Sequence, residues 1–191
     1  MKKKINKKIL LIFIVLVILT AGFIFYFFQG AKEEPLVLTE PESKRTLKLT
    51  SPAFENGQLI PVRYTCHGEG INPPFQISGV PEETKSLILI VVDADAPYGV
   101  FTHWVLWNIS SSTSFIEENS LPEGGMQGTN SFGEQSYGAP CPSKNESHHY
   151  YFLLSALDKE LDLDSSSEKR DVERVMCRHT IDWAELIGLY P

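Results

Sequence analysis

Residues 87–104 read LILIVVDADAPYGVFTHW. The run from Leu87 to Val92 is apolar at every position and too short for an ordinary helix, so it fits a central strand covered on both faces. That strand ends in two carboxylates, Asp93 and Asp95, in a D-x-D-x-P turn. His103 then opens a second segment, HWVLWNI, whose period of two places His103, Val105, Trp107 and Ile109 on one face. A buried strand therefore delivers polar groups to its own end.

Outward from this point the domain reads as further short strands. Thr46 to Thr50 alternates, Gln58 to Tyr64 repeats the pattern weakly around Pro61 as an edge strand, and Thr65 to Pro81 is a turn-rich loop. Between Ser110 and Asn145 the chain is rich in Ser, Gly, Pro and Asn. A strand then resumes over His148 to Leu157, with His148, Tyr150 and Phe152 on one face and His149, Tyr151 and Leu153 on the other. Helical spacing appears only late: Ser166 or Ser167 caps a segment from Glu168 to about Arg178 with Val172, Val175 and Met176 on one stripe, and a second short element ends at Ala184 to Tyr190. The pattern predicts a mainly β fold, a β-sandwich with one or two C-terminal helices at its margin.

Before the domain, Lys2, Lys3, Lys4, Lys7 and Lys8 precede twenty residues without a charge, Ile9 to Phe28. At about 1.5 Å per residue such a helix covers the roughly 30 Å hydrocarbon core, which predicts a single N-terminal transmembrane anchor; a cleaved signal peptide is the alternative. The expected organisation is a cytoplasmic basic tail (1–8), the anchor (9–28), a linker (29–45) and one domain (46–191). The lysines put the N-terminus in the cytoplasm and the domain outside it, at the cell membrane. Residues 29–191 carry 12 basic against 24 acidic residues, a net −12. Nucleic acid is excluded as a partner on that balance. The cysteines are Cys66, Cys141 and Cys177. An oxidising compartment permits one bridge, for which Cys66 and Cys141, both in Gly/Pro-containing loops, are the candidates; three free thiols are the alternative.

Several pieces then fall in order: YTCHGE (64–69) with NPP (72–74), DADAP (93–97), HW (103–104) with Asn108, GTNSFG (128–133), YGAPCP (137–142), HHY (148–150) and LIGLY (186–190). In this order and spacing they resemble the phosphatidylethanolamine-binding proteins, in their bacterial and archaeal Raf-kinase-inhibitor-like branch, from about Leu47 to Pro191. Ala94 departs from the usual proline of D-P-D-A-P, His149 from the usual arginine of H-R-Y, His67 from a common aspartate, and Gln76-Ile77 from a segment that usually ends in tryptophan.

The resemblance implies an antiparallel β-sandwich with a small anion-accepting pocket at one end. Carried over by position, the ligand-binding set is Asp93, Asp95, His103, His148 and Tyr150, with Pro140 and its neighbours Ala139, Cys141 and Pro142 as a wall. The implied ligand is a small anion or phospholipid head group. In this reading Asp93 and Asp95 orient the two histidines, which donate to a ligand oxygen, and Tyr150 adds a third donor. No cofactor, bound metal or catalytic residue is expected: the helical H-E-x-x-H and the G-x-S-x-G elbow are both missing. Two alternatives are an inhibitor of a secreted or envelope serine protease and a divalent-metal hydrolase built on the Asp/His cluster.

Overall fold

The computed structural model describes residues 45–143 and 146–191. The short N-terminal strand β1 (Lys48–Thr50) pairs antiparallel with β3 (Phe75–Ser78), which pairs in turn with β6 (Phe115–Ile116), making a three-stranded sheet. The larger sheet has the order β2-β9-β8-β4-β5-β7. It comprises β2 (Gln58–Leu59), β9 (Thr180–Tyr190), β8 (His148–Leu157), β4 (Ser86–Asp93), β5 (Phe101–Ser110) and β7 (Met126–Gln127). One helix, α1 (Lys169–Met176), completes the described elements.

β4 is the central strand its composition calls for, buried at all eight positions. Leu87, Leu89 and Val91 point between the sheets with Phe75, Ile77, Phe152 and Leu154. Ile88, Ile90 and Val92 point the other way, where Val105, Trp107, Leu161 and Val172 of α1 cover them. Full burial of each such side chain contributes about 1.5–3 kcal/mol, so this strand must lie inside and its neighbours must take both flanks. β8 obeys its alternation along most of its length: His148, Tyr150, Phe152, Leu154 and Ala156 are buried, while His149 is exposed.

Two bulges break the expected alternation of β5. Val91 pairs with Trp104 and Val92 with Thr102, which leaves His103 as an extra residue; Leu87 pairs with Ile109 and Leu89 with Leu106, and the second irregularity contains Asn108 at φ 55°. The expected common face of His103, Val105, Trp107 and Ile109 is thereby corrected. Val105 and Trp107 face α1, whereas Ile109 joins the inter-sheet core with Trp104 and Leu106. Bulges of this kind re-aim a side chain, and here the one at His103 does so at the end of the sandwich.

Four further expectations need correction. Gln58–Leu59 is a strand, but Val62–Tyr64 forms a 3-10 turn following Pro61, and the supposed loop 65–81 contains β3. The helix cap is Glu168 rather than Ser166 or Ser167, with Glu168 and Asp171 capping each other's backbone amides. The second late element is no helix: Thr180–Tyr190 pairs along its length with β8.

The membrane-spanning helix expected at Ile9 to Phe28 lies outside the described residues. Among the described residues no helix is long and apolar enough to cross a membrane. The eight residues of α1 span about 12 Å, less than half of a hydrocarbon core. The fold class is corrected accordingly to mainly β with one C-terminal helix. The single-pass topology, signal anchor, cell-membrane localisation and membrane partner inferred from that segment are not retained.

Asp182 ties the two sheets. Its Oδ2 accepts from the backbone N–H groups of Thr46 and Leu47, just before β1, and its Oδ1 accepts from Trp183 N–H. Burial works against the carboxylate, but these backbone donors outweigh it and hold its pKa below the usual range. Asp182→Ala is expected to cost about 2 kcal/mol in urea unfolding at pH 7. Since the folded pKa is depressed, this contribution is present above about pH 4 and is lost as pH falls through the folded value. The wild-type and variant stabilities should therefore converge in acid.

Candidate functional site

Where β4, β5 and β8 end together, their last inward-facing side chains enclose a cavity of about 230 Å³. β4 contributes Asp93, β5 contributes Phe101 and the bulged His103, and β8 contributes His148 and Tyr150. Asp93 pairs with Tyr150 across β4 and β8 and with Phe101 across β4 and β5, so strand register alone sets these groups side by side. Ala96, Pro97, Phe132 and Pro142 make the remaining wall largely apolar.

Asp93 has two tasks. Its Oδ1 accepts from Asp95 N–H at 2.9 Å, which forms the turn, and its Oδ2 accepts from His148 Nδ1 at 2.7 Å. Burial favours the neutral His148 ring, but the hydrogen bond and charge of Asp93 outweigh it and raise the His148 pKa. The proton on Nδ1 is thus fixed, and protonation puts a second donor on Nε2. Among the described residues Nε2 meets only Glu146 Oε2, on an exposed side chain 3.4 Å away.

His103 is the opposite case. Its Nδ1–H donates to Gly138 O at 2.7 Å, and burial lowers its pKa despite that bond. The neutral ring therefore keeps an acceptor at Nε2. Phe101, Phe132 and Tyr150 pack against this ring with centroids 5.2, 5.7 and 5.2 Å away. Asn130 holds the loop that delivers Phe132, accepting from Phe132 and Glu134 N–H and donating to Ser136 O. Gly138 has no room for a side chain, since a Cβ would lie 2.5 Å from the Phe132 ring.

Among the described residues the buried Tyr150 hydroxyl makes no hydrogen bond of good geometry, while the Asp93 carboxylate and the Cys141 backbone stand close enough to perturb it. Burial first, and the Asp93 charge second, push its pKa up, so it is a neutral donor that makes no well-formed hydrogen bond among the described residues. Orphaned groups of this sort are rare in folded proteins and call for an explanation.

Of the six residues singled out from the sequence, the structure brings Asp93, His103, His148 and Tyr150 into one cavity. Asp95 is not there: its half-exposed carboxylate accepts from His149 N–H and His149 Nδ1, bonds that lower its pKa. Pro140 lies buried behind the wall, where its carbonyl accepts from Cys66 N–H. A disulfide joins Cys66 to Cys141, which itself lines the cavity. Phe101 and Phe132 were missed as site residues. Only the G-x-N-x-F-G piece could have suggested Phe132, because an apolar pocket wall leaves no mark distinct from core. Among the described residues no three His, Cys, Asp or Glu side chains are arranged to hold a metal ion.

Residues 50–191 match the family model of the phosphatidylethanolamine-binding proteins. A UPF0098 protein of Pyrococcus horikoshii is 42% identical over 158 residues, covering 78% of each chain. Two solved structures are similar. One is a phosphatidylethanolamine-binding protein homologue from Chlamydia trachomatis, with a TM-score of 0.74 and 40% identity over 77% of this chain and 98% of that one. The other is YbcL of Escherichia coli, a member of the mammalian PEBP family, with a TM-score of 0.71 and 30% identity over 76% and 98%.

Proposed function

The chain belongs to the phosphatidylethanolamine-binding protein family, and on that premise we propose that its cavity binds a small phosphate-type anion, making it a binding module and not an enzyme. The observation that carries this reading is the unpartnered Tyr150 hydroxyl beside a histidine whose positive charge Asp93 favours. Together they offer two donors to one ligand oxygen cluster, at a spot where Glu146 meets His148 Nε2 by a long, part-buried bond.

His103 refines the ligand. With Nδ1–H committed to Gly138 O, its Nε2 accepts instead of donating, so both histidines do not act alike. A set of two donors and one acceptor suits a phosphate monoester carrying one proton, or a head group whose hydroxyl or ammonium meets His103. Among the described residues no Ser, Thr or Cys side chain hydrogen-bonds to either histidine, which gives a covalent hydrolytic mechanism no activated nucleophile. We assign the chain to the bacterial and archaeal Raf-kinase-inhibitor-like branch, supported by a relative from an archaeon and a similar structure from a bacterium.

Tyr150→Phe tests the reading from two sides. Removing an unsatisfied buried hydroxyl should leave stability unchanged or raise it by about 1 kcal/mol, while affinity for O-phosphoethanolamine falls about tenfold with the loss of one donor to a charged group. Calorimetric titration of the full chain with O-phosphoethanolamine and with inorganic phosphate measures the second effect. A variant that unfolds more easily yet binds as well as wild type would make the hydroxyl structural and remove this support.

A further inference from the structure

The wall of the cavity contains a bond that outside reagents can reach. Cys66 and Cys141 are both exposed, and their disulfide fastens the loop carrying Pro142 and Ser143 to the loop carrying His67. The two sulfurs are not equivalent. His67 Nδ1 stands 3.7 Å from Cys66 Sγ and 2.8 Å from the Tyr190 hydroxyl, which fixes the ring beside that sulfur. Among the described residues no comparable contact reaches Cys141 Sγ. In thiol–disulfide exchange the sulfur whose thiolate is better stabilised leaves faster; His67 Nδ1, which shares its hydrogen bond with the Tyr190 hydroxyl while the bridge is closed, is the group that can turn a proton to a Cys66 thiolate once it opens.

We propose that the Cys66–Cys141 bridge is a thiol-accepting site with a set direction, at which a small external thiol becomes attached to Cys141 on the cavity wall. The incoming thiolate donates its electron pair to Cys141 Sγ and forms the new S–S bond. The Cys66–Cys141 bond breaks, and its pair leaves on Cys66 as a thiolate facing His67. This first step exchanges one disulfide for another with no net oxidation. A second thiolate then attacks the mixed disulfide at the sulfur of the added thiol, releasing Cys141 as a thiolate and leaving the two external thiols joined as their own disulfide.

The consequence for binding follows from position and rests on the anion reading. An adduct on Cys141 projects from the same wall as Pro142 and unties it from Cys66, so it obstructs or loosens the pocket that His148 and Tyr150 serve. The backbone bond from Cys66 N–H to Pro140 O stays in place, so the loop is displaced and not released altogether.

The test uses the full chain carrying Cys177→Ser, which removes the exposed free cysteine from competition. The protein is incubated with 2-mercaptoethanol, quenched with iodoacetamide and mapped by peptide mass spectrometry over time. The expected result is an adduct on Cys141 with alkylated Cys66 in about tenfold excess over the reverse pattern, and a rate about tenfold lower, with the preference lost, in His67→Ala. The trapped adduct should bind O-phosphoethanolamine at least tenfold more weakly than the intact bridge. No reaction, an even distribution between the cysteines, or an unchanged rate in His67→Ala would each overturn the proposal. If exchange is directional but the intact protein does not bind O-phosphoethanolamine, the thiol site stands and the anion reading falls.

Discussion

Cys66→Ser/Cys141→Ser is expected to unfold with about 4 kcal/mol less free energy than wild type, because the bridge spans 75 residues and removes a long loop's entropy from the unfolded chain. Against a typical total of about 5–15 kcal/mol this is a large share, equivalent to a fall of roughly 8–16 °C in Tm. The physical need is local as well. Both cysteines lie in irregular segments outside the strands, where few ladder hydrogen bonds hold the backbone. Urea unfolding of wild type with and without a reducing agent checks this, and the reduced protein should superimpose on the double variant. A loss below about 1 kcal/mol would mean that the loops hold their positions without the bridge.

Asp93→Asn is expected to change the pH dependence of binding more than any other single substitution at the site. In wild type, Asp93 raises the His148 pKa, so the doubly protonated ring with its Nε2–H donor persists to higher pH than a free imidazole would. Asparagine can still accept from Nδ1–H, which leaves Nε2 of a neutral ring as an acceptor facing an anion. Affinity just above pH 6.5 should therefore fall about 10- to 100-fold, the worth of a charge-assisted hydrogen bond, yet recover near pH 5, where His148 is protonated regardless. Stability follows the same linkage. A raised folded pKa contributes stability fully below the unfolded value of about 6.5, and that contribution disappears as pH rises through the folded pKa. The variant should lack this dependence. Titrations at pH 5, 6.5 and 8 measure it, and a uniform loss at all three values would assign Asp93 to the turn alone.

What the sequence made legible follows from where one physical requirement dominated. LILIVV fits a strand covered on both faces better than a helix, and HHYYF alternates, so Asp93, His148 and Tyr150 were readable at strand ends, and the family resemblance put them in one pocket. The stripe of Val172, Val175 and Met176 fixed α1 for the same reason. Residue type does not encode a bulge, and the two extra residues in β5 are what carried His103 into the cavity and Ile109 to the opposite face. β3 is only four residues long between Pro74 and Gly79, so the turn signals around it hid it. β9 shows only a partial alternation of burial; its pairing with β8, a long-range contact, decided its conformation.

Asp95 illustrates the limit at the site itself. The family resemblance put it in the pocket with Asp93, but the turn that Asp93 Oδ1 closes hands Asp95 to His149 instead. His149 stands where the family usually has arginine, so the D-x-D and H-H pieces here form two Asp–His pairs, one lining the cavity and one half-exposed. Ala94, the other departure in the turn, leaves its N–H free to donate to His149 O, a bond the usual proline could not make.

The central claim is that His148, His103 and Tyr150 share one anion. Its most direct measurement follows the ring resonances of these three residues by NMR while the full chain is titrated with O-phosphoethanolamine at pH 6.5. The account predicts saturable shifts at all three rings with a single dissociation constant, and at the remaining rings a dissociation constant about tenfold higher in Tyr150→Phe. Unmoved resonances at millimolar ligand, or saturable shifts confined to residues outside the cavity, would contradict it.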